Sequence, residues 1–181
     1  MIPVEWEVVS LKDITKAQQG LQIAISERNE NMSKNSYPYI TIQYLKSKKK
    51  VEYIENPKKS VVCNNEDILM TRTGNTGVII TNESGVFHNN FFRIDFDRKK
   101  IDKTFFVYFL ESEKVQLEIV LKSGITTIPD LNHGDFYSIK FMMMDIEEQK
   151  QIAKILTTQD KKIQTEQQNL AKLKELKIGL M

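Results

Sequence analysis

The stretch that most limits what this chain can become is its last: DIEEQKQIAKILTTQDKKIQTEQQNLAKLKELKIGLM, residues 145–181. It holds no proline, and no glycine until Gly179. Those two residues are the ones that break helices, so the reading is one continuous helix. Asp145 with Glu148 three residues on has the spacing of a capping box. Lys174, Lys177 and Gly179 suit the negative, C-terminal end. At 1.5 Å per residue such a helix is about 50 Å long, longer than a small domain is wide. Part of it must project.

The apolar spacing says what the projecting part requires. Leu156, Ile163 and Leu170 recur every seventh residue as an "a" series, and Leu173 falls on the matching "d" register. The other "d" positions are Gln159 and Glu166, which make the middle of the seam polar and could fix its register. Ile152, Ala153 and Ile155 widen the stripe at its start and are expected to pack on the chain's own domain; Leu176 and Leu180 widen it at its end. One alternative is an amphipathic helix lying along its own domain. Length and heptad spacing favour a coiled-coil arm, and an isolated arm would leave its leucines in water, so a partner helix is implied.

With 181 residues there is room for the helix and one further domain of about 140 residues. A hydrophobic content of 40% and a charged content of 28% are those of an ordinary globular protein. The net charge of +2 excludes a histone-like polycation but not a domain with one basic face. The lone Cys63 has no internal disulfide partner, and the absence of a CxxC or Cys/His cluster argues against structural zinc. The opening MIPVEWEVVS lacks the basic start and apolar core of a signal peptide, and no apolar run approaches membrane-spanning length. A reducing cytoplasm is the expected setting, with no membrane partner.

Trp6 and Val8 alternate as in a short strand, with Trp6 read as a core anchor, and residues 20–36 form a polar loop. Residues 37–42, YPYITI, begin a strand, and 51–54, VEYI, resume it. Between them lies a run containing Lys46, Lys48, Lys49 and Lys50, either a solvated turn or a phosphate-contacting loop. A hairpin follows: strand residues 68–73, the turn Gly74-Asn75-Thr76-Gly77, and a return at 78–80. Arg72, Thr73 and Asn75 crowd that turn with little to bury. It lacks the lysine and following helix of a phosphate loop, so nucleotide binding is rejected and no cofactor is expected. His88, Asn89 and Asn90 precede a strand with Phe92, Ile94 and Phe96 on one face, and His88 has no partner at metal-ligand spacing. Residues 104–121 read as one or two helices, residues 123–134 as a long loop with Thr126, Thr127 and Asn132, and residues 136–144 as a last strand. The expected fold class is α+β: a mixed, mainly antiparallel β-sheet domain with packed helices over residues 1–144, then the coiled-coil helix over residues 145–181.

Three patterns in this order resemble a known family. They are Pro3-x-x-Trp6 with Leu11-x-Asp13-Ile14; Asp67-Ile68-Leu69 leading into Arg72-Thr73-Gly74-Asn75-Thr76-Gly77; and Ser123-Gly124 through Leu131, a strand, then Glu148-Gln149-x-x-Ile152-Ala153. Together they resemble a target recognition domain and the following helix of the specificity subunits of type I restriction-modification systems. The family usually has a proline before the glutamate–glutamine pair, where Met144-Asp145 stands here. The resemblance implies a non-catalytic reader of double-stranded DNA. Two recognition domains, spaced by two antiparallel helices, each read half of a split site. The helices dock methyltransferase subunits, which methylate adenine, and through them a motor-nuclease subunit. One domain and one helix make a half-subunit, so a second copy, or another half-subunit, is a further expected partner.

On this reading base contacts come from Arg72, Thr73, Asn75, His88, Asn90, Thr126, Thr127 and Asn132, and phosphate contacts from Lys46, Lys48, Lys49 and Lys50. Dimerisation falls to Leu156, Ile163, Leu170 and Leu173. Two rivals stand against it. Pro129-Asp130 with Glu148-Gln149-Lys150 satisfies the letter of a PD…ExK nuclease, whose carboxylates must converge on one Mg²⁺; Glu148 and Lys150, two apart on a helix, face different ways. A coiled-coil module with no DNA role predicts no salt-dependent DNA affinity. Intrinsic methylation is disfavoured, because neither an Asn/Asp-Pro-Pro-aromatic motif nor a glycine-rich cofactor loop is present.

Overall fold

The computed structural model describes residues 6–48, 50–124 and 127–179. The chain runs through β1 (Glu7–Ser10), a single-turn helix α1 (Leu11–Ile14), β2 (Thr15–Gln19), β3 (Ser36–Ile40), α2 (Ile42–Ser47), β4 (Tyr53–Glu55) and β5 (Val62–Cys63). It continues with β6 (Ile68–Thr71), β7 (Ile79–Ile80), β8 (Gly85–Phe87), β9 (Phe91–Phe96), α3 (Lys103–Glu111) and α4 (Glu113–Ser123). α5 (His133–Ser138), β10 (Lys140–Met143) and α6 (Ile146–Gly179) complete it.

The strands form three sheets: β1 with β10, a four-stranded sheet in the order β2-β9-β6-β7, and a second four-stranded sheet in the order β4-β3-β8-β5. All pairings are antiparallel except β3 with β8. β6 explains how the sheets stack. A strand turns successive side chains to opposite faces, so Ile68 and Met70 enter the core shared with α3, α4 and α5. Leu69 faces the other way and packs with Ile40, Phe87 and Phe91. Buried on both sides, β6 carries an unbroken apolar run rather than an alternating one. The expected α+β class, mainly antiparallel with a long terminal helix, is what the chain adopts.

α6 is docked at its start and free beyond it. Gln149 and Ala153 are buried, and every described residue from Thr158 onward is exposed. The fully buried Gln149 amide is the anchor. Its Oε1 accepts from the Asp102 N–H at 3.0 Å, while its Nε2 donates to Lys100 O and Met144 O, both at 2.9 Å. The helix begins differently from the expected capping box. The Asp145 carboxylate accepts from the Glu147 N–H at 2.8 Å, but Glu148 turns away to accept from the Trp6 indole N–H at 3.1 Å. Trp6 is thus a half-buried clasp between the start of β1 and the root of α6 rather than a core anchor. Ile155, expected to pack on the body, is 60% exposed.

Other expectations shift for local reasons. The strand expected through residue 42 ends at Ile40, because the Thr41 hydroxyl accepts from the Tyr44 N–H and starts α2. The basic run therefore begins in a helix, which Lys48 closes in the left-handed conformation, φ 46°. The strand expected over residues 136–144 begins as α5, because Asn132 caps that helix by accepting from the Asp135 N–H at 2.9 Å. The helical residues 103–123 divide into two at Ser112, whose extended conformation interrupts the run.

Candidate nucleic-acid interface

The β6–β7 turn projects from the end of a sheet. Gly74 at φ 82° and Gly77 at φ 91° occupy the left-handed region that side chains avoid. Gln116 on α4 holds the turn, donating from Nε2 to Gly77 O at 2.9 Å and Leu110 O at 2.7 Å. The loop before α5 lies alongside. Gly74 N–H donates to Pro129 O, Leu131 N–H donates to Arg72 O, and Thr73 bridges Asp130. A single carboxylate locks the two segments together, as Asp130 accepts from Arg72 Nη2 and from the Thr73 hydroxyl, each at 2.6 Å.

The β8–β9 turn is the third segment. The Arg72 N–H donates to Asn90 O at 2.7 Å, and His88 Nδ1 accepts from the Asn90 N–H at 3.1 Å. With Nδ1 accepting, the neutral ring keeps its proton on Nε2 as a donor. Burial, helped by the Arg28 charge, pushes the His88 pKa down and favours that neutral form. Gly20 passes so near that a Cβ there would lie 2.2 Å from Phe87 O and 2.3 Å from His88 O. The neighbouring Gln19 Nε2 donates to Asn89 O at 3.1 Å. Residues 72–77, 88–90 and 127–132, remote in sequence, thus form one surface.

The candidate residues differ in what they still have to offer. Arg72 is mostly buried over the Phe92 ring, its centre 5.3 Å from the centroid, with Nε on Leu131 O; its Nη1 makes no hydrogen bond to a described residue. Thr73 is engaged by Asp130, and Asn132 by Asp135. The exposed Asn75 and Thr127 and the half-buried Asn90 have side chains that make no hydrogen bond to a described residue. Thr126 and Lys49 lie outside the described residues.

The basic segment sits on a neighbouring cleft of about 330 Å³, lined by Arg28, Tyr39, Thr41, Gln43 and Lys50 among others. Tyr39 joins the cleft to the first surface, its ring 5.7 Å from that of His88. Lys48 is paired with Glu83 at 2.5 Å and Lys50 with Glu30 at 3.1 Å, whereas Lys46 is exposed and faces no described carboxylate. The nuclease pattern is dispersed: Asp130 holds Arg72, Glu148 holds Trp6, and Lys150 pairs with Glu147 at 2.7 Å. No group of three His, Cys, Asp or Glu that could hold a metal exists among the described residues. No described helix is long and apolar enough to cross a membrane.

Sequence reading missed Gln19, Gln116, His133 and the link made by Asp130. His133 packs against Phe92 with ring centroids 4.5 Å apart and the rings tilted by 53°. Asp130 was visible as a carboxylate in a polar loop, but nothing local ties it to Arg72.

A sequence model of the family described as the type I restriction modification DNA specificity domain matches residues 3–175. The chain belongs to this family. Among curated relatives, it is 30% identical over 181 residues to the type I restriction enzyme MjaVIII specificity subunit of Methanocaldococcus jannaschii, covering 99% of this chain and 42% of that protein. Among solved structures, a chain from work on the complex assembly and conformational transition of the type I R-M system superposes with a TM-score of 0.74 at 16% identity, over 91% of this chain and 40% of that one. The HsdS subunit from Thermoanaerobacter tengcongensis gives a TM-score of 0.72 at 15% identity, over the same 91% and 40%. At such identities these two likenesses establish the fold of this specificity domain. The chain spans less than half the length of the relatives it matches.

Proposed function

We propose that this specificity domain is one half of a DNA-recognition subunit. Residues 1–144 read part of a split double-stranded site, and residues 145–181 pair with the helix of a second copy or half-subunit and set the spacing between them. It is non-catalytic and works in the cytoplasm, directing methyltransferase subunits, and through them a motor-nuclease subunit, to the target. The observation that carries this reading is the gathering of three remote polar segments, 72–77, 88–90 and 127–132, at one surface beside the cleft that Arg28 and Lys50 help to line. Loops on a rigid sheet can vary in side chain without altering the fold, which suits a reader of many sequences.

Within this surface Asn75, Thr127, Asn90, the His88 Nε2–H and Arg72 Nη1 are the groups free to meet base edges. Selection of bound duplexes from a random-sequence pool should yield one preferred site. On it, Arg72→Ala should cost about 1–3 kcal/mol, with little change on random DNA. Asp130→Asn serves as the companion variant, because it loosens the loop and leaves the guanidinium in place. Fluorescence anisotropy measures both. Equal losses on selected and random DNA would demote Arg72 to a phosphate contact.

Replacing Lys46, Lys48 and Lys50 with alanine should weaken binding to selected and random DNA alike. It should also flatten the salt dependence by about 0.9 for each phosphate no longer neutralised. Lys46, with no carboxylate to neutralise it, should account for more of the change than either paired lysine. An unchanged salt slope in the triple variant would remove this segment from the interface.

A further inference from the structure

Hydrogen bonding does not account for every side chain on the three-segment surface. Ile128 is 65% exposed there, whereas Leu131, three residues on, is fully buried. Single exposed apolar residues are ordinary; this one differs in how firmly it is placed. Pro129 restricts the backbone of the residue before it. The Pro129 carbonyl accepts from the Gly74 N–H at 2.9 Å and from the Thr76 hydroxyl at 3.4 Å. The Asp130 N–H donates to Ser123 O at 3.1 Å, while its carboxylate holds Arg72 and Thr73. Successive Cα atoms lie about 3.8 Å apart, so Ile128 is carried against the turn whose tip is Asn75. Its β-branched side chain has few rotamers to lose on binding.

The chemistry of the major groove says what such a side chain can meet. Base edges there are hydrogen-bond donors and acceptors, except that thymine also presents its 5-methyl group to an apolar side chain. An asparagine amide, with donor and acceptor side by side, matches N6 and N7 of adenine in the same groove. The Asn75 amide is exposed and makes no hydrogen bond to a described residue. An apolar contact and a free amide thus stand on two segments that Pro129 and Asp130 hold together.

We infer that Ile128 reads a thymine through its 5-methyl group while Asn75 reads an adjoining adenine, so that these two segments select A·T over G·C. The inference rests on the DNA-reading surface proposed above and names bases that it chooses. Cytosine offers Ile128 no methyl, and guanine sets an O6 acceptor where adenine has its N6 donor. Either replacement therefore loses one contact. In the minor groove an exposed apolar side chain acts instead as a wedge between base steps. The effect of a wedge does not depend on the thymine methyl, which separates the two roles.

The test uses the full chain and the duplex selected from the random pool, with circular dichroism to establish folding of each variant. Each thymine is replaced in turn by deoxyuridine, which lacks only the methyl group. At one thymine the replacement should weaken wild-type binding about four-fold, the worth of one buried methyl group. Ile128→Ala should bind the thymine and uracil duplexes equally. Val78→Ala, which trims another exposed side chain on the same hairpin, should keep the difference. Replacing the adjoining adenine by 7-deazaadenine, which lacks N7, should weaken the wild type and leave Asn75→Ala unaffected. If no duplex is preferred over random sequence, the DNA-reading proposal fails and this inference with it. If a site is selected but no thymine shows the effect, or Ile128→Ala keeps it, the surface reads DNA and Ile128 does not read thymine. An equal loss for Ile128→Ala on both duplexes, with the wild type indifferent to the methyl, makes Ile128 a wedge and likewise overturns the inference.

Discussion

Gln149→Leu is expected to destabilise the protein by about 3–5 kcal/mol, the largest loss from any single change considered. The side chain is fully buried, and its amide serves three backbone groups, the Asp102 N–H and the carbonyls of Lys100 and Met144. Leucine fits a similar volume but pairs with none of them, and each buried polar group left unpaired costs about 1–3 kcal/mol. The loss should appear as a lower denaturation midpoint in urea with an unchanged slope. All three groups belong to the connections before α3 and before α6, so the variant should also loosen the helix from the body. Gln149→Glu should recover only part of the loss, since a carboxylate still accepts from Asp102 but faces the two carbonyls without a donor. A cost below about 1 kcal/mol for leucine would mean that water reaches these groups and that the amide is not the anchor.

The second large effect lies at the far side of the same helix. Ile163 and Leu170 are 55% and 52% exposed and lie among helix residues that are all exposed. Changing both to aspartate should leave the thermal midpoint of the body unchanged, because the body never meets them. If the helices pair as proposed, it should leave the chain monomeric in sedimentation, because four carboxylates would otherwise enter the seam. Affinity for a two-part DNA site should then fall about 100-fold or more while affinity for an isolated half-site holds, since linking two readers makes the second contact intramolecular. A variant that remains dimeric would end the reading of this helix as a spacer.

What could be seen in advance divides along a physical line. The long helix was legible because its signals are local: absence of breakers, a seven-residue repeat and favourable charges near its end. The hairpin at Gly74–Gly77 was legible for the same reason, since the need for positive φ is a property of single residues. The apolar stretch at 68–70 marked a strand, but its burial on both faces followed only from the second sheet lying against it. Local rules also misled where a distant partner offered a better bond. Glu148 had capping-box spacing and went to Trp6, 142 residues away.

The sequence by itself determined the α+β class, the projecting helix with its heptad seam, and which loops are polar. Only the tertiary structure decided that residues 72–77, 88–90 and 127–132 share one surface, that Asp130 joins Arg72 to Thr73, and that Gln149 ties the helix to the body. The reason is range. Periodicity and turn chemistry act between neighbours in the chain, whereas the side-chain links at Asp130 and Gln149 join residues 47 to 58 positions apart. They come together only once the sheets have stacked and the buried polar groups have taken whichever partners lie within reach.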